Sequence, residues 1–131
     1  MRAASALALL VSGAGCCPAG LRPAEAELRP LFDRINRDLF DGAVEAELYW
    51  FDGPGMRGCY LPEGHLCAAT GRPVILIRRR LTGAELTGAL AHEMIHAARG
   101  DTGHGGDHGP AFLREARRAA DRLGLPVHVV R

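Results

Sequence analysis

The chain has 131 residues and a mass of 14.0 kDa, a length that fits one domain. Sixteen basic and fifteen acidic residues give a net charge of +1, which argues against a protein that binds polyanions through bulk charge. Every basic residue is an arginine, so chemistry that needs lysine, such as Schiff-base formation or a phosphate-loop lysine, is excluded. No apolar run reaches the roughly 18 residues that span a bilayer.

The first 22 residues are predicted to be an extension that precedes a domain over residues 23–131. Residues 1–20 contain one arginine, an apolar stretch over residues 3–11 and then small residues, a composition typical of a short secretory signal. A frayed or disordered extension, or a wrongly assigned start codon, explains the same composition. We therefore expect a cytoplasmic protein, or an exported one if these residues act as a signal peptide.

The four cysteines do not have the spacing of a zinc ribbon, because Cys16 and Cys17 are adjacent and the other two lie far along the chain. Two interpretations of Cys59 and Cys67 remain open. They would pair across a hairpin in an oxidising compartment, or act as small buried apolar side chains, as free cysteines often do.

The first predicted helix covers residues 24–41 and is closed by Gly42. It carries apolar residues at intervals of three and four, namely Leu28, Leu31, Phe32, Ile35, Leu39 and Phe40. Because proline is costly inside a helix, the firm part is expected to begin at Arg29 and Pro30.

A strand is predicted over residues 44–50, where apolar and polar residues alternate. Tyr49 and Trp50, at its end, are expected to pack against the first helix. Further short strands are predicted at residues 56–61, 66–69 and 74–77. Short connections favour antiparallel hairpins, so the sequence predicts an α+β domain with a small antiparallel sheet.

Two more helices are predicted in the second half of the chain. Thr82 and Glu85 have the spacing of a capping box and open a helix that runs to about Arg99 and stops at Gly100. Gly109 and Pro110 open the last helix, which Gly124 and Pro126 end. Its predicted inner face consists of Phe112, Leu113, Ala116, Ala119, Ala120 and Leu123.

The strongest chemical motif lies on the second of these three helices, where residues 92–96 read His-Glu-Met-Ile-His. Residues i and i+4 share one helix face, so His92 and His96 can direct imidazole nitrogens at one metal ion. Glu93 lies beside His92, where a carboxylate can face an activated water without ligating the metal. This is the arrangement of a zinc hydrolase.

A catalytic zinc usually takes three protein ligands, so a third ligand is required. His104 and His108 both follow in a glycine-rich loop. We favour His108, because it directly precedes the last helix and a defined turn can orient it. Asp101 and Asp107 are candidates to orient a metal-binding histidine through a hydrogen bond.

Three ordered blocks of the chain resemble the SprT-like metalloprotease domain, the family to which the DNA–protein crosslink protease Spartan also belongs. They are residues 31–42, with Asn36 and Phe40 before a strand, residues 91–97 around the His-Glu-x-x-His motif, and residues 106–112, which read Gly-Asp-His-Gly-Pro-Ala-Phe. Residues 58–60 and 74–81 fall where that domain has its small sheet.

The resemblance implies a zincin-like fold with Zn²⁺ held by His92, His96 and His108 and with Glu93 as the catalytic base. It implies a metalloendopeptidase that hydrolyses peptide bonds of protein substrates, in a family associated with DNA–protein crosslink repair. The alternative is a non-catalytic zinc-binding module, whose site a fourth ligand such as His104 would close. The oligomeric state stays open.

Arginine patches are the residues of this chain that suggest a nucleic-acid partner. Residues 78–80 are three consecutive arginines, and the last helix carries four more, Arg114, Arg117, Arg118 and Arg122. A weak contact with DNA phosphates is one interpretation. The other, which we favour, is a solvated face with local ion pairs to Glu115 and Asp121.

The remaining candidates are expected to be structural. His65 and His128 are isolated in the sequence and are interpreted as ordinary turn and tail histidines. Tyr60 has the chemistry to stabilise an oxyanion near the metal, but core packing is the favoured interpretation.

Overall fold

The computed structural model describes residues 19–62, 71–101 and 108–131. In this part of the chain a four-stranded sheet is combined with three α-helices, which bears out the predicted α+β class. The elements follow in the order β1 (Ala19–Pro23), α1 (Glu25–Phe40), β2 (Glu47–Asp52), β3 (Gly58–Leu61), β4 (Val74–Arg78), α2 (Gly83–Arg99), α3 (Pro110–Leu123) and a final 3₁₀ turn (Val127–Val129).

The sheet has the strand order β1-β2-β4-β3, and it is mixed rather than antiparallel as predicted. β1 pairs antiparallel with β2, and β3 pairs antiparallel with β4, but β2 and β4 are parallel, with Leu48 opposite Ile75. The connection over residues 53–73 exceeds the dozen or so residues that a parallel crossover needs. The unbroken apolar run of β4 is typical of a strand buried on both faces, which is the signal that the antiparallel prediction overlooked.

β1 was not predicted. It pairs with β2 through Arg22 opposite Trp50 and Pro23 opposite Tyr49, so residues 19–22, which we had assigned to the extension, belong to the sheet. Its five residues show no alternation that could distinguish a strand from a loop. Pairing with β2 supplies the hydrogen bonds that define it.

α1 confirms the predicted helix over residues 24–41 to within one residue at each end, but its regular part begins at Glu25 rather than at Arg29 and continues through Pro30. The backbone N–H of Ala24 donates to the carbonyl of Leu48 at 2.9 Å, and the N–H of Leu48 donates to the Glu25 carboxylate at 3.0 Å. Arg29 bonds the same carboxylate at 2.8 Å. These contacts fix the first turn to β2 and offset the hydrogen bond that proline cannot make.

The two faces of the sheet pack into different apolar clusters. Leu48 and Trp50 lie on the face that α1 and α2 cover, and Trp50 also donates from its indole N–H to Glu27 of α1 at 3.2 Å. Tyr49 points to the opposite face, with Phe51 and Leu76, so the prediction that it packs on α1 is wrong. Neighbouring strand residues must face opposite ways.

Asn36 connects α1 to the chain that leads into β2. It is buried, its amide donates to the carbonyl of Val44 at 2.8 Å, and its carbonyl accepts from the N–H of Val44 at 3.0 Å. The Asn36 side chain thus pairs with both the C=O and the N–H of Val44, as a backbone partner would. This fixes the path of the chain from α1 to the sheet.

α2 and α3 end where the sequence predicts. Gly100 takes a left-handed conformation (φ +72°), and its N–H bonds the carbonyl of Ala97, a glycine cap that stops α2. Gly109 caps α3 with Pro110 in its first turn. The capping box of Thr82 is wrong in detail, since α2 begins at Gly83 without a side-chain cap hydrogen bond.

Several arginines of the predicted patches make contacts within the fold. Arg118 pairs with Glu115 at 3.1 Å, Arg122 donates to the carbonyl of Asp38 at 3.1 Å, and Arg79 pairs with Asp52 at 3.1 Å. Among the residues that the structure describes, none of the helices is both long and apolar enough to cross a membrane.

Cys59 is buried in the smaller cluster, and burial together with the nearby charge of Glu93 raises the pKa of its thiol to about 12. His128 is exposed in the final turn. The predicted strand at residues 66–69, Cys67, His65 and the interpretation of residues 1–18 all lie outside the described residues.

Candidate metal centre

α2 places the His-Glu-x-x-His motif at the centre of the fold. The helix packs against β3, β4, α1 and α3, and eight of its residues are buried. His96 is 5% exposed and Glu93 6% exposed, while His92 is half-buried. Both imidazoles therefore project from a helix that its neighbours hold in place.

His108 reaches the same point from the start of α3. It stands two residues before Pro110, the first residue of that helix, and it is exposed. The preference for His108 as the third member of the cluster agrees with this placement. His104 and Asp107 lie outside the described residues.

The three imidazoles converge on one point through their Nε2 atoms. The Nε2 of His108 lies 3.0 Å from that of His96 and 3.2 Å from that of His92, and all three ligand atoms lie within 4.8 Å of one another. Two nitrogens bound tetrahedrally to zinc at 2.0–2.1 Å would be about 3.3 Å apart. The two distances to His108 are close to this value, and the three nitrogens are close enough to share one metal ion.

The tautomer of His92 follows from its hydrogen-bond partner. Its Nδ1 lies 2.6 Å from the carbonyl oxygen of Val130, which can only accept, so Nδ1 carries the proton in the neutral ring. Burial lowers the pKa of His92 to about 4, an effect that the Val130 hydrogen bond opposes and the other two histidines reinforce. Nε2 is left with a free lone pair.

His96 is oriented in the same way by a carboxylate. Its Nδ1 donates to Asp101 Oδ2 at 2.7 Å, and the same oxygen accepts from Arg99 Nε at 3.2 Å. Burial of Asp101 favours a raised pKa, but the hydrogen bonds from His96 and Arg99 outweigh it and lower the pKa of this carboxyl. Asp101 therefore acts as predicted, as an orienting partner of a histidine.

Converging lone pairs make the cluster suited to hold a cation. The Nε2 atoms of His92 and His96 both present lone pairs, and His108 can donate at most one hydrogen to the two of them. A metal ion satisfies all three nitrogens at once. These residues can hold a metal such as zinc, copper, iron or nickel, for which imidazole is a suitable ligand.

Glu93 lies on the same helix, with its carboxylate Oε2 4.0 Å from Nε2 of His92. Burial raises its pKa to about 8, and the positive charge of Arg57 opposes that rise only in part. The side chain packs against the backbone of β3, where a Cβ built on Gly58 would stand 3.0 Å from Oε2. The absence of a side chain at Gly58 leaves room for this carboxylate.

Phe112 of α3 contacts all three imidazoles. Its ring centroid is 4.6 Å from that of His96, in a stacked arrangement, and 4.8 Å from those of His92 and His108. The ring is buried and forms an apolar surface against which the three imidazoles pack. This gives a physical role to the phenylalanine four residues after His108.

Sequence reasoning missed two contributors, Val130 and Arg57. Val130 acts through its backbone, which no side-chain pattern reports, and Arg57 had no motif around it. Tyr60 is half-buried and packs against the larger cluster, in agreement with the core interpretation.

Comparison with protein-family models, with curated proteins and with solved structures gave no match for this chain. The SprT-like resemblance therefore stands on the three motif blocks alone.

Proposed function

We propose that this chain is a zinc-dependent metalloendopeptidase of SprT-like type. The observation that carries the proposal is the convergence of the Nε2 atoms of His92, His96 and His108 beside the buried carboxylate of Glu93. Three histidines with a fourth position left to solvent or substrate form a common type of catalytic zinc site. The exposed position of His108 supports access from solvent.

In the proposed mechanism, His92, His96 and His108 would hold Zn²⁺, which would supply a Lewis acid able to lower the pKa of water to about 7 and to polarise a carbonyl group. Glu93 accepts the proton of the attacking water at its carboxylate and returns it to the leaving amine. The positive charge of the zinc ion would favour the ionised form of Glu93, against the effect of burial. Val130 and Asp101 keep the two helix-borne imidazoles oriented.

Association with DNA is not part of this proposal. Arg79, Arg118 and Arg122 already bond acidic side chains or backbone carbonyls within the fold. The proposed substrate class is an unfolded or flexible polypeptide, whose backbone can approach the metal centre without obstruction from its own fold.

The test is zinc-loaded Glu93→Gln against the wild type, with new N-termini counted after incubation with an unfolded polypeptide. Removing a general base typically costs 10²–10⁴-fold, so cleavage by the variant should fall by about that factor while its zinc content stays near the wild-type value. Glu85→Gln is the matched control, because Glu85 is an exposed residue in the first turn of the same helix.

Two results would contradict the proposal. Glu93→Gln could retain full cleavage activity, which would remove Glu93 from the mechanism. The zinc-loaded wild type could cleave no polypeptide, which would leave a metal-binding module without peptidase activity.

A further inference from the structure

Residues 127–131, here the 127–131 segment, pack against the helix that carries the metal-binding motif. Val130 is fully buried and Val129 is 6% exposed, although the segment contains only one short 3₁₀ turn. It contacts both α2 and α3. Such burial of an irregular segment indicates a specific seat on the two helices.

Gly88 of α2 provides that seat. A Cβ built on this glycine would lie 2.3 Å from the carbonyl oxygen of Val129 and 2.7 Å from its carbonyl carbon, both backbone atoms that cannot turn away. Only a glycine allows the backbone of the segment to approach α2 this closely. Gly88 lies one helical turn before His92, on the face that carries this histidine.

Arg57 holds the segment through two hydrogen bonds. Its Nη1 donates to the carbonyl of Val129 at 2.9 Å, and its Nη2 donates to the carbonyl of Arg131 at 3.4 Å. Arg57 directly precedes β3, and its own carbonyl accepts from the N–H of Arg78 of β4 at 2.8 Å. The segment is thus tied to the sheet as well as to α2.

We propose that the 127–131 segment is a positioning element for the metal centre, which sets the tautomer and orientation of His92 through the carbonyl of Val130. Arg57 and Gly88 are the positioning residues that keep this carbonyl 2.6 Å from Nδ1. With the proton fixed on Nδ1, Nε2 is ready to bind metal before the ion arrives. The inference needs the metal-binding part of the proposed function but not its peptidase activity.

The experiment measures Zn²⁺ affinity by chelator competition in the full chain, for Gly88→Ala and Arg57→Ala. Loss of an outer partner of a metal-binding histidine typically costs 10–100-fold in affinity, and we expect a loss in this range for Gly88→Ala and about tenfold for Arg57→Ala. Alanine favours a helix more than glycine does, so weaker α2 formation cannot explain the first result.

The sign of the Arg57→Ala effect separates positioning from electrostatics. The charge of Arg57 lowers the pKa values of His92 and Glu93, so this cation acts on the site. Electrostatics alone would make its removal raise the affinity for Zn²⁺. A lower affinity shows that the lost anchor of the segment dominates. Arg34→Ala, on the exposed face of α1, is the control for loss of an arginine.

A second readout reports the tautomer directly, by long-range nitrogen–proton NMR correlations in the metal-free chain at a pH where the imidazoles are neutral. The wild type should show His92 protonated at Nδ1, and both variants should show a mixture. His96 is the internal control, because its partner is Asp101 and its tautomer should not change. Asp101→Ala should give the reverse pattern.

Unchanged or increased Zn²⁺ affinity in folded Arg57→Ala, together with an unchanged His92 tautomer, would overturn the proposal. The same NMR result in Gly88→Ala, if that variant folds, would overturn it independently. Absence of peptidase activity would reject the proposed function and leave this inference standing, because neither readout involves turnover.

Discussion

The two halves of the candidate metal centre differ in how they are held. The α2 half, with His92, Glu93 and His96, is largely buried, and each imidazole has a hydrogen-bond acceptor at Nδ1. The α3 half contributes His108, which is exposed and stands before the first turn of its helix. The comparison suggests a preorganised half that sets the geometry and a second half that completes it at the solvent boundary.

The largest effect should come from removing a ligand of the buried half. His96→Ala should weaken Zn²⁺ binding by more than about 100-fold, beyond the range of outer-partner changes, because it also leaves Asp101 without its imidazole partner. His108→Ala should weaken Zn²⁺ binding less, by about 100-fold, since a water molecule can partly replace this exposed ligand. His104→Ala should bind Zn²⁺ like the wild type.

Chelator competition on the three variants measures this order. Equal losses for His96→Ala and His108→Ala would remove the distinction between the halves. A loss for His104→Ala with none for His108→Ala would show that His104, and not His108, is the third ligand.

The free energy of unfolding of the metal-free chain should depend on the ionisation of the buried Glu93. Its folded-state pKa is raised from 4.5 to about 8, so its stabilising contribution is complete below pH 4.5 and is lost as the pH rises to about 8. Glu93→Gln mimics the neutral form and should be more stable than the wild type by about 5 kcal/mol at the upper end of this window, and equally stable at the lower end.

Urea unfolding of the two metal-free proteins across that pH range provides the measurement. A constant difference in the free energy of unfolding would show that ionisation of Glu93 does not destabilise the metal-free fold. The comparison of the two halves would then lose its electrostatic part.

Phe112 contacts imidazoles of both halves, so Phe112→Leu tests whether this shared contact supports Zn²⁺ binding. The substitution keeps an apolar surface but removes the ring that stacks on His96 and contacts His108. We expect about tenfold weaker Zn²⁺ binding, within the range of changes that disturb ligand orientation. Leu123→Ala at the other end of α3 is a suitable control for a general loss of packing, and it should leave Zn²⁺ affinity within about twofold of the wild type.

Gly58 offers the finest adjustment of the buried half. A Cβ at this position would lie 3.0 Å from both Glu93 Oε2 and the backbone oxygen of Leu76, so the Glu93 side chain and the neighbouring β4 backbone must shift by a few tenths of an ångström. Gly58→Ala should lower kcat/KM several-fold and leave Zn²⁺ affinity unchanged, because small misplacements of a catalytic group reduce the rate. Unchanged kcat/KM would mean that the position of Glu93 is not critical.

The sequence predicted the parts of the molecule that local patterns determine. The extents of α2 and α3, the cap at Gly100 and the shared face of His92 and His96 all follow from helical periodicity and glycine or proline positions. Asp101, five residues after His96, was also within reach of such reasoning.

Local sequence patterns could not predict contacts between residues that are distant in the chain. The parallel pairing of β2 with β4 depends on a long crossover, and the start of α1 depends on Leu48, more than twenty residues away. The partner of His92 is a backbone carbonyl 38 residues along the chain, and a backbone carbonyl leaves no residue-type signature.

The most direct test of the account is the metal content of the purified chain after dialysis, by elemental analysis, with His96→Ala measured in parallel. The account predicts about one zinc per wild-type chain and almost none in the variant. A folded wild type that holds no metal and does not bind added zinc would contradict it, because the converging nitrogens of His92, His96 and His108 would then not form a metal site.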